Sequence, residues 1–222
     1  MNTKTFDEMK TNIGNEVGDT SSSFATRLGV YINNRYFDTL DRLRQANIFE
    51  MYKTHCATTT AGTADYATPS DWGVPVSVVD FSNSRTLDVI SEEEYAQRFG
   101  NNPTTPGAPI ALIMRSSINS ASAVEKKIGF YYVPAGSYEY EIRYERDISP
   151  MTATTDTPIV GELSDIIELG GKADAWRTKR QGGKAADFET LYERKIDRYI
   201  QNRVTNYVHM FDVTPYDRDS QY

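Results

Sequence analysis

Apolar side chains recur at steps of three and four near the start of the chain, where Phe6, Met9, Ile13 and Val17 share one face. That spacing predicts a helix over residues 4–17. Gly18 ends it, and Asp19-Thr20-Ser21-Ser22-Ser23 supplies a run of residues whose side-chain oxygens cap helix N-termini. A second helix is predicted from Ser22 to Phe49, with the stripe Phe24, Leu28, Tyr31, Ile32, Tyr36, Leu40 and Leu43. Thr39 and Asp41 fall off that stripe and are expected on the surface. A stripe this long has more apolar surface than one neighbour covers, so a helical bundle follows.

The period then changes from 3.6 to 2. Val76, Val78 and Asp80 alternate as in a strand closed by Phe81, and Arg85–Ile90 reads as its partner across an Asn83-Ser84 turn. Ser91 and Glu94 have the spacing of a capping box, starting a short helix that stops at Gly100. Residues 101–109 are rich in Asn, Pro and Gly and irregular, and strands are predicted at 110–115 and 126–133. The clearest strand is 138–146, where Tyr138, Tyr140, Ile142 and Tyr144 alternate with Glu139, Glu141, Arg143 and Glu145. One face is aromatic and one charged, which fits an antiparallel sheet or small sandwich.

Residues 150–161 read as a loop back to helices. Leu163, Ile166, Ile167, Ala173 and Trp176 mark a third helix, softened at Gly170-Gly171, and Gln181-Gly182-Gly183 separates it from a fourth. The fourth carries Phe188, Leu191, Tyr192, Ile196, Tyr199, Ile200, Val204 and Tyr207. Each such side chain contributes about 1.5–3 kcal/mol when fully buried, before entropy is set against it. From Val208 the periodicity fades and an extended tail is expected. The fold class is therefore α+β: a bundle from N-terminal helices (1–53) and C-terminal helices (161–207), an inserted antiparallel β-module (54–160) and a tail (208–222).

Charge and composition narrow the function. The net charge of −7 sits mostly in the centre, where residues 54–160 carry thirteen acidic against seven basic side chains. Phosphate affinity needs a basic surface, so general nucleic-acid binding by the whole chain is disfavoured. Fifteen tyrosines suit thin layers and interfaces, because the ring packs while the hydroxyl stays wet. No apolar run approaches the ~20 residues of a membrane span, and the first residues lack a signal-peptide pattern. The single Cys56 has no intrachain partner, fits a reducing compartment and is expected to be buried.

Candidate chemistry is sparse. His55, His209 and Cys56 do not form a zinc-ligand pattern, and neither a phosphate-binding glycine loop nor a nucleophile elbow is present. Glu92-Glu93-Glu94 reads as a solvated helix start and Glu139 with Glu141 as a solvated strand face, because paired catalytic carboxylates converge from separate elements. Two features point to partners. Arg177, Lys179, Arg180 and Lys184 form a basic turn suited to an acidic partner or passing DNA, or to a helix C-terminus alone. Met210, Phe211, Val213 and Tyr216 are too apolar for a solubilising tail and suit a segment that folds on binding.

Several short motifs occur in order: Ile32-Asn33-Asn34-Arg35-Tyr36-Phe37, Gly62-Thr63-Ala64-Asp65-Tyr66-Ala67-Thr68-Pro69-Ser70-Asp71, Gly107-Ala108-Pro109-Ile110 and Tyr131-Tyr132-Val133-Pro134. Together they resemble the head-to-tail adaptor (connector, head-completion) proteins of tailed bacteriophages, podovirus-like. The chain departs from that pattern at Ala67, where a larger apolar residue is usual, and at Ala135-Gly136, which replaces a second proline. The resemblance implies a structural virion protein of the neck, assembled in the host cytoplasm, with no cofactor, no bound metal and no catalysis. It implies a ring, typically of twelve copies, between the portal protein and a tail or nozzle protein, around DNA that passes without specific binding. The stretch Thr58–Trp72 then reads as the hinge where the β-module leaves the bundle. Two other classes remain: a soluble carbohydrate- or peptide-binding module using the tyrosine-rich sheet, and a hydrolytic tail component.

Overall fold

The structure is a computed structural model that describes residues 3–100, 105–118 and 124–211, with backbone alone at 117, 118, 124 and 205–211. The fold is α+β. It divides into two compact units, a helical one of Met1–Met51 with Ser149–Tyr222 and a β unit of Tyr52–Ile148.

The helical unit contains α1 (Phe6–Val17), α2 (Ser22–Gln45), α4 (Ser164–Thr178) and α5 (Gly182–Phe211); the β unit holds the short α3 (Glu92–Phe99). Thr5 caps α1 reciprocally: its hydroxyl accepts from the Glu8 amide at 3.2 Å while the Glu8 carboxylate accepts from the Thr5 amide at 2.7 Å. Phe6, Met9 and Ile13 of α1 and Phe24, Leu28, Ile32, Tyr36, Leu40 and Leu43 of α2 are buried. Thr39, expected on the surface, is fully buried, because its hydroxyl finds the Arg35 carbonyl at 2.7 Å and the Tyr192 hydroxyl at 3.0 Å. α2 stops at Gln45, short of Phe49; Asn47 takes a left-handed φ of 52° before a 3₁₀ turn at Phe49–Met51.

Gly170 and Gly171 do not soften α4, which runs through both. Their role is close approach: a Cβ at Gly170 would meet the Arg35 stem at 2.8 Å, and one at Gly171 would meet Ile13 at 2.8 Å. The segment between Ser149 and Gly161 belongs to the helical unit and is fixed by hydrogen bonds. Asn33 exchanges two with the Met151 backbone at 2.9 Å, and the Tyr36 hydroxyl accepts from the Ile159 amide at 3.1 Å. Helical backbone in α5 continues through Phe211, past the expected start of the tail at Val208.

The β unit is built from β1 (Tyr52–Thr58), β2 (Asp65–Ala67), β3 (Trp72–Asp80), β4 (Arg85–Ser91), β5 (Pro106–Gly107), β6 (Ala111–Ile118), β7 (Val124–Tyr131), β8 (Val133–Pro134) and β9 (Glu139–Arg146). Seven strands form a curled sheet in the order β1-β9-β3-β4-β6-β7-β2, and β5 pairs with β8. The sheet is mixed rather than wholly antiparallel: β4 and β6 run parallel, because the chain crosses between them through α3. Ser91 caps α3, its hydroxyl accepting from the Glu94 amide at 3.1 Å. β9 lies between β1 and β3, and Tyr140, Ile142 and Tyr144 point into a core with Trp72, Val78, Leu87, Leu112, Ile128 and Phe130.

Two register shifts in β3, between Trp72 and Val74 and between Pro75 and Ser77, break the alternation expected there. Val78 and Asp80 point inward, but Val74 and Val76 turn out and are 64% and 53% exposed. Cys56 is also exposed, contrary to expectation, because it lies on the outward face of the sheet-edge strand β1. The stretch Thr58–Trp72 is not the hinge: the chain enters the β unit earlier, at Tyr52, and this stretch lies wholly inside it.

Gly73 sits in the irregular part of β3, where an added Cβ would collide with the Glu145 carbonyl and lie 3.0 Å from the Asp147 amide. Both neighbours are backbone and cannot swing aside. Gly73→Ala is expected to cost about 2–3 kcal/mol, read as a lower urea midpoint for loss of β-unit structure.

Candidate functional site

The residues that carry the family-like motifs are occupied inside the fold. On α2, Arg35 is a clamp. Its guanidinium donates to Asp174 of α4 through Nε at 2.7 Å and Nη2 at 2.8 Å, and to Glu189 of α5 through Nη1 and Nη2, each at 2.7 Å. The plane lies 5.1 Å from the Tyr192 ring centroid. The two carboxylates hold the Arg35 proton well above its ordinary range, against partial burial that favours losing it. One turn on, Asp38 accepts from the Tyr192 hydroxyl at 2.7 Å, and two turns on, Arg42 donates twice to Glu193.

In the β unit the stretch containing Gly62 and Asp71 forms the turns around β2. Gly62 takes a φ of 78° and donates to the Pro134 carbonyl at 2.8 Å. The Tyr66 hydroxyl accepts from the Thr60 amide at 2.9 Å. Asp65 pairs with Arg115 at 2.6 Å. Asp71 gathers Lys53 at 2.7 Å, the Tyr144 hydroxyl at 2.9 Å and Arg146 at 3.1 Å. Partial burial pushes the Asp71 carboxyl up, but those three donors outweigh it and hold it at about 2. Burial and the Asp71 hydrogen bond in turn push the Tyr144 phenol up to about 12. Ala67 is exposed on the edge strand β2, so its small side chain leaves no hole in the core.

The basic turn is less free than its composition implies. Arg177 bridges Asp174 at 2.5 Å and Glu189 at 3.2 Å. Lys179 pairs with Asp19 at 2.5 Å and lies over the Phe24 ring. The hydrogen bonds from Lys179 and Ser21 draw the Asp19 carboxyl down to about 2. Lys184 sits 4.1 Å above the Trp176 ring. Of the four, Arg180 and Lys184 are exposed and enter no ion pair among the described residues, and Arg180 is held at a left-handed φ of 58°. Of the tail candidates, Met210 and Phe211 lie on the helical backbone of α5, while Val213 and Tyr216 lie outside the described residues.

Composition alone hid a second group of cations. Arg194, Lys195 and Arg198 are exposed on α5 and enter no ion pair among the described residues. Their signal was spacing: three basic residues within one turn of a helix, off its apolar stripe.

Other candidates resolve as structural. Glu92–Glu94 opens α3, with Glu94 paired to Arg98 at 2.5 Å. Among the described residues no group of three or more His, Cys, Asp or Glu side chains is placed to hold a metal. A groove of about 460 Å³ beside Trp72 contains Glu125 and Asp147, but Asp147 is paired with Lys126 at 2.5 Å and Glu125 lies 4.0 Å from Lys127. Tyr140 and Tyr144 are 1% and 2% exposed, so they offer no platform to a sugar or peptide. Among the described residues no helix is long and apolar enough to cross a membrane.

These features describe a structural protein whose polar groups brace its own elements and whose external features are surfaces. The family described as SU10 adaptor protein matches residues 4–214, across both units, and the chain belongs to that family. It is accordingly a structural adaptor protein of a bacteriophage virion, whose partners are other virion proteins such as portal and tail. Comparison with curated proteins finds no match.

Two outcomes test the bracing. Arg35→Met leaves Asp174 and Glu189 with only the exposed Arg177 between them and is expected to destabilise the helical unit by about 2–3 kcal/mol, measured by chemical denaturation. For Asp71, a folded pKa of about 2 lies below the ordinary aspartate value of 3.8, so its contribution is present above the ordinary carboxylate range and is lost as pH falls through about 2. The parent chain is therefore expected to lose about 1–2 kcal/mol more than Asp71→Asn between neutral pH and that point, after allowance for solvent screening. Equal acid sensitivity of the two in a denaturation series would contradict this.

Proposed function

We propose that the chain is a head-to-tail adaptor that forms a ring, typically of twelve copies, in the virion neck. The ring joins the portal protein to a tail or nozzle protein and surrounds the channel through which DNA leaves. Assembly takes place in the host cytoplasm. The observation that carries this reading is family membership across both units, from residue 4 to residue 214. The acidic balance of −7 supports passage of DNA without adhesion.

In this reading the helical unit meets the portal and the β unit faces the tail. The two units are Met1–Met51 with Ser149–Tyr222 and Tyr52–Ile148, with residues 208–222 as the docking segment. The portal contact uses Arg180 and the segment containing Met210, Phe211, Val213 and Tyr216. Arg177, Lys179 and Lys184 support that contact by setting the shape of the turn, since each already has a partner within the helical unit.

Co-sedimentation with purified portal protein tests the assignment. The parent chain is expected to attach. A chain lacking residues 212–222 is expected to stay folded and unattached, and Arg180→Glu to weaken attachment about ten-fold. Full attachment of both variants would contradict the assignment.

A further inference from the structure

Two exposed surfaces, one on each unit, have complementary chemistry. On α5, Leu191, Arg194, Lys195 and Arg198 stand at i, i+3, i+4 and i+7 and share one face of the helix. Tyr192 and Ile196 are buried on another face, while Leu191 remains 41% exposed among these cations. The result is a basic face with an apolar residue at its N-terminal end, in a chain of net charge −7.

On the β unit, Glu139 and Glu141 lie on the outward side of β9 and enter no ion pair among the described residues. Further along the same sheet face, next to Arg143 and Glu145 of β9, the register shifts of β3 turn Val76 and Val74 outward. On β1, Cys56 is the residue opposite Glu141. This face is acidic at Glu139 and Glu141; Arg143, next along the same side, lies over the Tyr52 ring, and the outward valines follow.

The repeats are also commensurate. Cations at i and i+4 on a helix stand about 6 Å apart along the axis, and alternate residues on a strand about 6.6 Å apart. A helix laid antiparallel to β9 therefore sets Arg198 and Arg194 against Glu139 and Glu141, with Leu191 toward Val76.

We propose that the α5 face of one copy docks on the β9–β3 outer face of a second copy of this chain. This rests on the ring reading and names its subunit contact. Copies meeting through the same face would set cation against cation or carboxylate against carboxylate. Head-to-tail contact satisfies both faces, and a heterologous contact of that kind generates a ring where its rotation closes. Partner choice then comes from charge, with the exposed Leu191 and Val76 supplying the apolar part of the contact.

The native thiol at Cys56 provides a direct test. Leu191→Cys, assembled on purified portal protein and treated with a short thiol–thiol cross-linker, is expected to give a ladder of covalent species beyond dimers. The same variant with Cys56→Ser is expected to give no ladder, since the introduced thiol joined to its own kind stops at dimers. Independently, Arg194→Glu with Arg198→Glu is expected to weaken assembly about ten-fold or more. Glu139→Lys with Glu141→Lys is expected to do the same, and mixing the two reversed chains to restore assembly between unlike copies. Rings without a ladder, or rings unaffected by either reversal, overturn this contact and leave the ring reading standing. A parent chain that forms no rings on portal overturns both.

Discussion

The Arg35 guanidinium is the interaction on which the helical unit depends. It leaves α2, reaches between α4 and α5, and satisfies a carboxylate on each with four hydrogen bonds of 2.7–2.8 Å. A planar, permanently charged fork does this where a lysine cannot. Its stem passes so close to α4 that Gly170 admits no side chain without displacing it. Paired, half-buried charges of this kind add modestly to stability, but removing one member leaves the others unmatched. The network therefore acts chiefly as a register device, permitting one arrangement of three helices and penalising the rest.

That internal use of charge explains what the surface retains. Arg177 adds a second cation to the Arg35 carboxylates, and Lys179 ties the end of α4 to Asp19. What remains for a partner is Arg180 and the outward face of α5. In the β unit the same division holds: Asp71 collects Lys53, Arg146 and Tyr144, leaving Glu139 and Glu141 outside. For a structural adaptor, a braced interior with separate basic and acidic faces is a workable arrangement, because association then costs little internal rearrangement.

Much of the fold was legible because it follows from periodicity. The stripes of α1 and α2, and the alternation from Tyr138 to Glu145, specify which side of each element is buried. The capping pairs Thr5–Glu8 and Ser91–Glu94 are local in sequence and therefore readable, although only the second was read. What was not legible depends on long-range contacts. Thr39 is buried because Tyr192, 153 positions away, offers it a hydroxyl. Val76 points outward because the register shifts in β3 follow from its pairing with β9, which its own alternation does not encode. Gly170 and Gly171 suggested weakness, whereas a neighbouring helix makes them necessary. Composition marks the basic turn, but not its partners, which come from α4, α5 and the α1–α2 connection. The face at Arg194, Lys195 and Arg198 was missed because the apolar stripe of the same helix dominated the reading.

Adaptor function is most directly tested by negative-stain microscopy of purified portal protein with and without this chain. An added ring-shaped layer on one side of the portal, present only with the chain, is the predicted result. Portal particles indistinguishable in the two samples, with the chain remaining a free monomer, would contradict the account.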